Sequence, residues 1–356
     1  MGASSRNTPG KEDTVETKLY VGTEEGLFSL SNAGGSWQVK EQGLQPWEIA
    51  DLVQVPGSSN EVFAATRGDG VWFTADGGAT WRKPCYGKRG PGKVHCLELD
   101  GSGQLYAGCE PIDLFVSSDM GQSWRLIDSV WSEPWVAEVS YPNKKVEPHL
   151  RDLAIDPRNG TTIYAGLQVG YMLKSKDGGS SWKVLNQDLD PDVHVINLNP
   201  HNPDTMVVAT GGDGARRGET KGRALYRTDD GGESWTPVGL EFEQTYSQPL
   251  IRHPKDPNVL YSALAVGNQS RWKAPKFADS AIIRSTDGGR HWERLDGGLS
   301  ETSTGFAEAL AFDEQQPERM FAGFRNGEVY MTESCGESWR KLDVKLPSIT
   351  RLAVAA

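Results

Sequence analysis

A chain of 356 residues with a formal charge of −11, rich in Gly, Pro and Trp, excludes several classes of protein at once. Nucleic-acid binding needs clustered Lys and Arg, and the basic clusters here (Lys88-Arg89, Lys144-Lys145, Arg216-Arg217) are short and read as solvated loops. No run approaches the roughly 18 apolar residues that span a membrane, and Cys85, Cys96, Cys109 and Cys335 lack metal-ligand spacing, so free thiols are expected.

Residues 1–17 are polar and read as a disordered tail ahead of one domain, residues 18–356. They contain no apolar core of the signal-peptide type. The expected compartment is the cytoplasm, or the periplasm or exterior if a leader has been removed.

A hexapeptide then recurs. It begins as Asn32-Ala33-Gly34-Gly35-Ser36-Trp37 and returns at Asp76, Asp119, Asp177, Asp230 and Asp287, paired with Trp81, Trp124, Trp182, Trp235 and Trp292. A seventh copy runs from Ser334 to Trp339, with Cys335 in place of the first Gly. Successive tryptophans lie 44, 43, 58, 53, 57 and 47 residues apart, the period of a four-stranded propeller blade. In each copy the carboxylate can accept backbone N–H bonds across a tight turn, Gly supplies the backbone freedom, and Trp opens the next strand. The role is structural. Asn32 can still bond its turn, and Ser334 does so more weakly.

Blade four shows the strand pattern: inner strand 150–156, second strand 162–166, third 171–175 and outermost 182–185, with Pro157 and Gly160 marking the first turn. Residues 18–40 supply only the second, third and fourth strands of blade one. Its inner strand reappears as residues 349–354, which closes the ring and removes exposed sheet edges. The fold expected is all-β: a seven-bladed propeller of four-stranded antiparallel blades.

The repeated turns resemble the Asp-box (BNR) repeats of sialidases, sortilin-type receptors, xyloglucan-active glycosidases and the photosystem II assembly propeller, over nearly the whole chain. The resemblance implies the fold, since those families do unrelated work. Leu19-Tyr20-Val21-Gly22-Thr23 stands where sialidases carry an Arg-Ile-Pro motif, so sialidase activity is not expected. A single ring of seven blades is most similar to the assembly-factor type.

Any site is then sought on the upper face, where loops lead into the inner strands and join second to third strands. The loop at 127–148 carries Trp131, Trp135 and Tyr141, that at 267–280 carries Trp272, and Trp47 lies on the same face; only Trp72 among the tryptophans outside the repeats sits in a strand. Loop aromatics suit sugar rings or an apolar partner. The inner strands, aligned on their apolar positions, place Asp51, His95, Arg151, His194, Gln248, Glu308 and Thr350 in a polar ring, with His149, Asp192 and Tyr246 one pleat above. Second-strand ends add Arg67, Glu110, Gln168, Asp213, Asn268 and Arg325. Such a ring is either a hydrated channel mouth or a site. In a site, Glu308 and Asp51 would do acid–base work, Arg151 would hold a carboxylate, and His95, His149 and His194 would act as bases or metal ligands. Trp131, Trp135, Tyr246, Gln248, Trp272, Arg67 and Arg325 would contact the ligand. His291, His201 and His253 read as structural.

Two functions are expected from these residues. One is a propeller binding a carbohydrate or other polar small molecule at the axial mouth, with hydrolase or lyase chemistry as its catalytic form. The other is a non-catalytic protein-interaction scaffold similar to the assembly-factor propellers. No cofactor is expected, a histidine-bound metal at the mouth being the alternative left open, and a monomer is expected.

Overall fold

The computed structural model describes residues 17–33, 36–84, 90–140, 147–212, 223–267, 272, 278–295, 297–299 and 305–355. Cys85, Tyr141, Asp213, Asn268 and the three basic clusters lie outside them. Seven antiparallel sheets follow one another around a ring, each running from an innermost to an outermost strand. Six have four strands. In blade two the fourth is reduced to a single bridge between Phe73 and Arg82.

Blade four matches its expected boundaries to within about a residue, with strands Leu150–Ile155, Ile163–Leu167, Met172–Ser175 and Lys183–Leu185. Second strands such as Val62–Thr66, Ile163–Leu167 and Met206–Thr210 are buried throughout, because both of their faces meet a neighbouring blade. Outermost strands such as Glu293–Arg294 and Arg340–Lys341 are exposed. The core is therefore a set of inter-blade seams. One of them packs Trp37 edge-on against Phe321 at 5.2 Å between blades one and seven.

The ring closes as the sequence predicts. Strand Ile349–Val354 pairs antiparallel with Lys18–Thr23, matching Leu19 to Val354 and Val21 to Leu352. Thr17, assigned to the tail, is buried and accepts a 2.8 Å bond from Arg319. No helix among the described residues is long and apolar enough to cross a membrane.

The repeated turns share the lower face with the loops joining inner and second strands. Gly77, Gly178, Gly231 and Gly288 donate backbone N–H bonds of 2.8–3.0 Å to Asn60, Thr161, Asp204 and Asn258 of those loops. Within the turn of blade two, Asp76 accepts from the Thr80 N–H (2.9 Å) and hydroxyl (2.6 Å), while the Thr74 hydroxyl bridges Asp76 and the Gly78 N–H. Asp119, Asp177 and Asp230 repeat this pattern, and at Asp287 the His291 imidazole replaces the hydroxyl. Ser334 accepts the Ser338 N–H at 3.1 Å and so preserves a weaker turn. Blade one differs from expectation. Its strand ladder continues through Asn32–Trp37 and Ala33–Ser36, and among the described residues the Asn32 side-chain oxygen is buried without a partner.

Two outcomes follow. Truncation after Ser348 strips Ile349, Leu352 and Val354 from the seam, a loss of roughly 5–9 kcal/mol from burial alone, so the chain is expected to aggregate or to melt far lower in circular dichroism. The Asp76 and Asp177 carboxyls are held at about 2, chiefly by the Thr80 and Ser181 hydroxyls. Their folded pKa lies below the unfolded value of about 3.9, so their stabilisation is complete above about pH 4 and is lost as pH falls towards 2. The urea midpoint should drop over that window, and less steeply in an Asp76→Asn/Asp177→Asn variant.

Candidate functional site

The polar ring exists because every inner strand carries an irregularity at the same level. In blade three Val94 pairs with Cys109 and Cys96 with Gly108, so His95 is an extra residue on the inner strand. The same offset displaces Arg151, His194, Glu308 and Thr350 from their ladders, and in blade six Gln248 with Pro249. A bulge leaves its extra residue unpaired and re-aims the side chain. In blade two the offset falls on Ala50, not on Asp51, which pairs with Ala65. Apolar alignment slips by one residue there, because a bulge hides the strand period.

Asp51 accordingly does another job. It accepts the Leu97 N–H of blade three at 2.9 Å and faces Arg351 of blade one at 3.3 Å. Asp152, at the matching level of blade four, accepts the Ile196 N–H of blade five at 2.6 Å. Both carboxylates tie one inner strand to the next. Burial raises each carboxyl, Asp152 to about 7.

Arg151 stands at the centre of the mouth. Its charge acts on His95, His149, Asp192, Tyr246 and Glu308, side chains of five different blades. It donates a 2.8 Å bond to Gln248 Oε1, which also accepts from the Tyr246 hydroxyl at 3.2 Å. Arg151 Nε and Gln248 Nε2 are, among the described residues, buried N–H donors without an acceptor. Among the described residues Arg151 has no carboxylate partner, whereas Arg67 pairs with Glu48, Arg325 with Glu308, Arg351 with Asp51 and Lys93 with Glu110. Burial lowers the Arg67 guanidinium to about 10 against the pull of Glu48.

The groups predicted to move protons are engaged. Burial alone would raise Glu308, but the Arg325 fork, at 2.6 and 3.1 Å, more than offsets it and holds the carboxyl below its ordinary value. His194 lies 2.6 Å from the Ser247 carbonyl and 3.4 Å from Asp192, so both ring nitrogens face oxygen. Asp192 also accepts from Gln168 at 2.8 Å. The three histidines do not form one cluster. His95 and His149 stack with centroids 3.8 Å apart beside Glu110, while His194 packs against Tyr246. Burial drives both stacked imidazoles far towards the neutral form, His149 to about 2.

The loop aromatics divide in two. Trp135 donates to the Gly170 carbonyl and packs on Tyr171, and Trp47 lies over Gly68, so both hold loops down. Trp272 joins Tyr246 and Phe306 in an aromatic wall with centroids 4.8–5.6 Å apart. Trp131 is 47% exposed. Arg351, Glu48 and Phe306 were not singled out by sequence. The signal available for Arg351 was its place directly after the ring residue Thr350. Two cavities, of about 520 and 630 Å3, open elsewhere, beside Lys18, Asn60 and Gln316 and beside Asp100, Arg158 and Pro200.

Comparison with known proteins agrees with this architecture. The family model for sortilin (Sortilin-Vps10, neurotensin receptor 3) matches residues 170–276. The xyloglucanase Xgh74A of Acetivibrio thermocellus is 29% identical over 168 residues, 40% of this chain and 19% of that protein. Among solved structures, the GH74 xyloglucanase from Xanthomonas campestris superposes with a TM-score of 0.67 at 15% identity, covering 95% of this chain and 52% of that one. The chain thus spans about half the length of that enzyme. YCF48 bound to D1 peptide superposes with a TM-score of 0.54 at 17% identity, covering 84% and 85% of the two chains. The shared property is the fold.

The Glu308–Arg325 pair gives an asymmetric expectation. Arg325→Met leaves a buried carboxylate unpaired and should cost about 3–5 kcal/mol in urea unfolding. Glu308→Gln should cost less, because Arg325 is partly exposed and has Glu24 at 3.6 Å.

Proposed function

We propose that the chain is a ligand-binding propeller whose axial mouth takes a polar small molecule bearing a carboxylate, an acidic sugar being the class that fits. The observation that carries the reading is the Arg151–Gln248 pair. It offers two buried N–H donors with no acceptor, on the one channel cation that lacks a carboxylate among the described residues. A carboxylate would complete Arg151. Trp272, half-buried against the core residues Tyr246 and Phe306, supplies a face for a ring to stack on. The xyloglucanase relatives and the peptide-bound YCF48 structure are in keeping with a propeller that receives an extended polar ligand.

Binding is favoured over hydrolase or lyase chemistry. Glu308 is forked by Arg325, Asp51 ties two blades together, and His194 has neither nitrogen free for a substrate. The scaffold reading has one observation of its own, the exposed Trp131 on the same face.

Calorimetric titration with uronic and sialic acids, against their neutral counterparts, tests the proposal. Acidic sugars should bind, and Arg151→Met or Gln248→Leu should weaken binding by about 10- to 100-fold. Arg158→Ala, on the lower face, should not. Equal response to neutral sugars, or affinity unchanged in both mouth variants, would refute the reading.

A further inference from the structure

We propose that His95, Glu110 and His149 form a binding site for a divalent transition-metal ion, with Zn2+ as the fitting ion. It does not depend on the ligand reading above, since it uses other side chains and a different probe. Among the described residues these three are the one grouping of His, Cys, Asp or Glu whose candidate ligand atoms all lie within 4.8 Å of one another.

The spacing suits an ion. Glu110 Oε2 is 3.0 Å from His95 Nε2 and 3.7 Å from His149 Nδ1. Ligands about 2.0–2.1 Å from a tetrahedral Zn2+ stand roughly 3.3 Å apart, close to the Glu110–His95 separation. His95 and His149 are stacked, so seating a cation beside the carboxylate requires the rings to turn until each points a lone pair at the ion.

The surroundings orient the ligands. Lys93 and the Glu147 N–H hold Glu110 Oε1, which turns Oε2 towards the imidazoles. The His149 Nδ1–H donates to the Glu147 carbonyl at 3.0 Å, which fixes that ring and leaves Nε2 as its ligating nitrogen. Outer contacts of this kind commonly position metal ligands. Among the described residues His95 Nδ1 and His149 Nε2 are buried without partners, so one nitrogen of each ring is left unsatisfied. Both rings are side chains 3–5% exposed and are held neutral by burial, the form a metal requires.

The same field selects the ion. Arg67, Arg151, Lys93 and Arg351 act on His95 and oppose any cation, so affinity must come from imidazole coordination. That favours Zn2+ or its transition-metal neighbours over Mg2+ and Ca2+, which prefer oxygen.

Titration of Zn2+ into the chelator-treated full chain should show one ion bound per chain. Co2+ in its place should give the visible absorption of a low-coordinate site. His95→Ala and His149→Ala should each weaken Zn2+ binding by at least about 10-fold and abolish the Co2+ spectrum, as should the isosteric Glu110→Gln. His253→Ala, remote from the mouth, should change neither. No saturable binding, or binding unchanged in the histidine variants, overturns the proposal. Should the alanine variants fail to fold, unchanged affinity in Glu110→Gln does the same.

Discussion

The inner strands depend on one steric constraint: the bulge must lie opposite a small residue. Gly22, Ala65, Gly108, Gly166, Ala209 and Gly323 pair with the residue just past the offset in their blades, and Ala263 occupies that level in blade six. The aliphatic residue before the next blade's bulge rests on this gap. A Cβ on Gly22 would come within 2.8 Å of Ile49, one on Gly108 within 2.8 Å of Leu150, and one on Gly323 within 2.7 Å of Ile349. Large side chains there would force the blades apart. The close approach therefore sets the seam, and the seam leaves an extra residue of each inner strand to be redirected towards the mouth.

That arrangement concentrates charge where water is scarce. Arginines from blades two, four, seven and one meet there, and an unpaired buried cation is costly. Glu48, Glu308 and Asp51 compensate three of them. Arg151 is left with an amide. The imbalance is what the proposed carboxylate ligand would correct. It also explains why acid–base roles fit poorly, since the carboxylates are committed to neutralising their neighbours.

The mouth has two chemically distinct sides. Arg151, Gln248 and Tyr246, joined by hydrogen bonds, favour an acceptor-rich ligand. His95, His149 and Glu110 present neutral nitrogen and a carboxylate oxygen. Both are assembled from separate blades, and no local motif marks either one.

The sequence by itself determined the seven blades, the lower-face turns and the closure of Ile349–Val354 on Lys18–Thr23. Those features are local or periodic: Asp-Gly-Gly turns, tryptophan spacing and apolar alternation all lie along the chain. It also placed His95, Arg151, His194, Gln248, Glu308 and Thr350 at one level, because each stands just before the apolar stretch of its strand. Tertiary structure alone decided that Asp51 falls one residue beyond that level, that Asn32 joins the strand ladder opposite Trp37, and that His194 parts from the other two histidines. Those outcomes turn on bulge position and on contacts between blades. The reach of Arg151 to Gln248 spans 97 residues of sequence. Periodicity reports which side of a strand a residue occupies, whereas partners across the axis are set by how the ring closes.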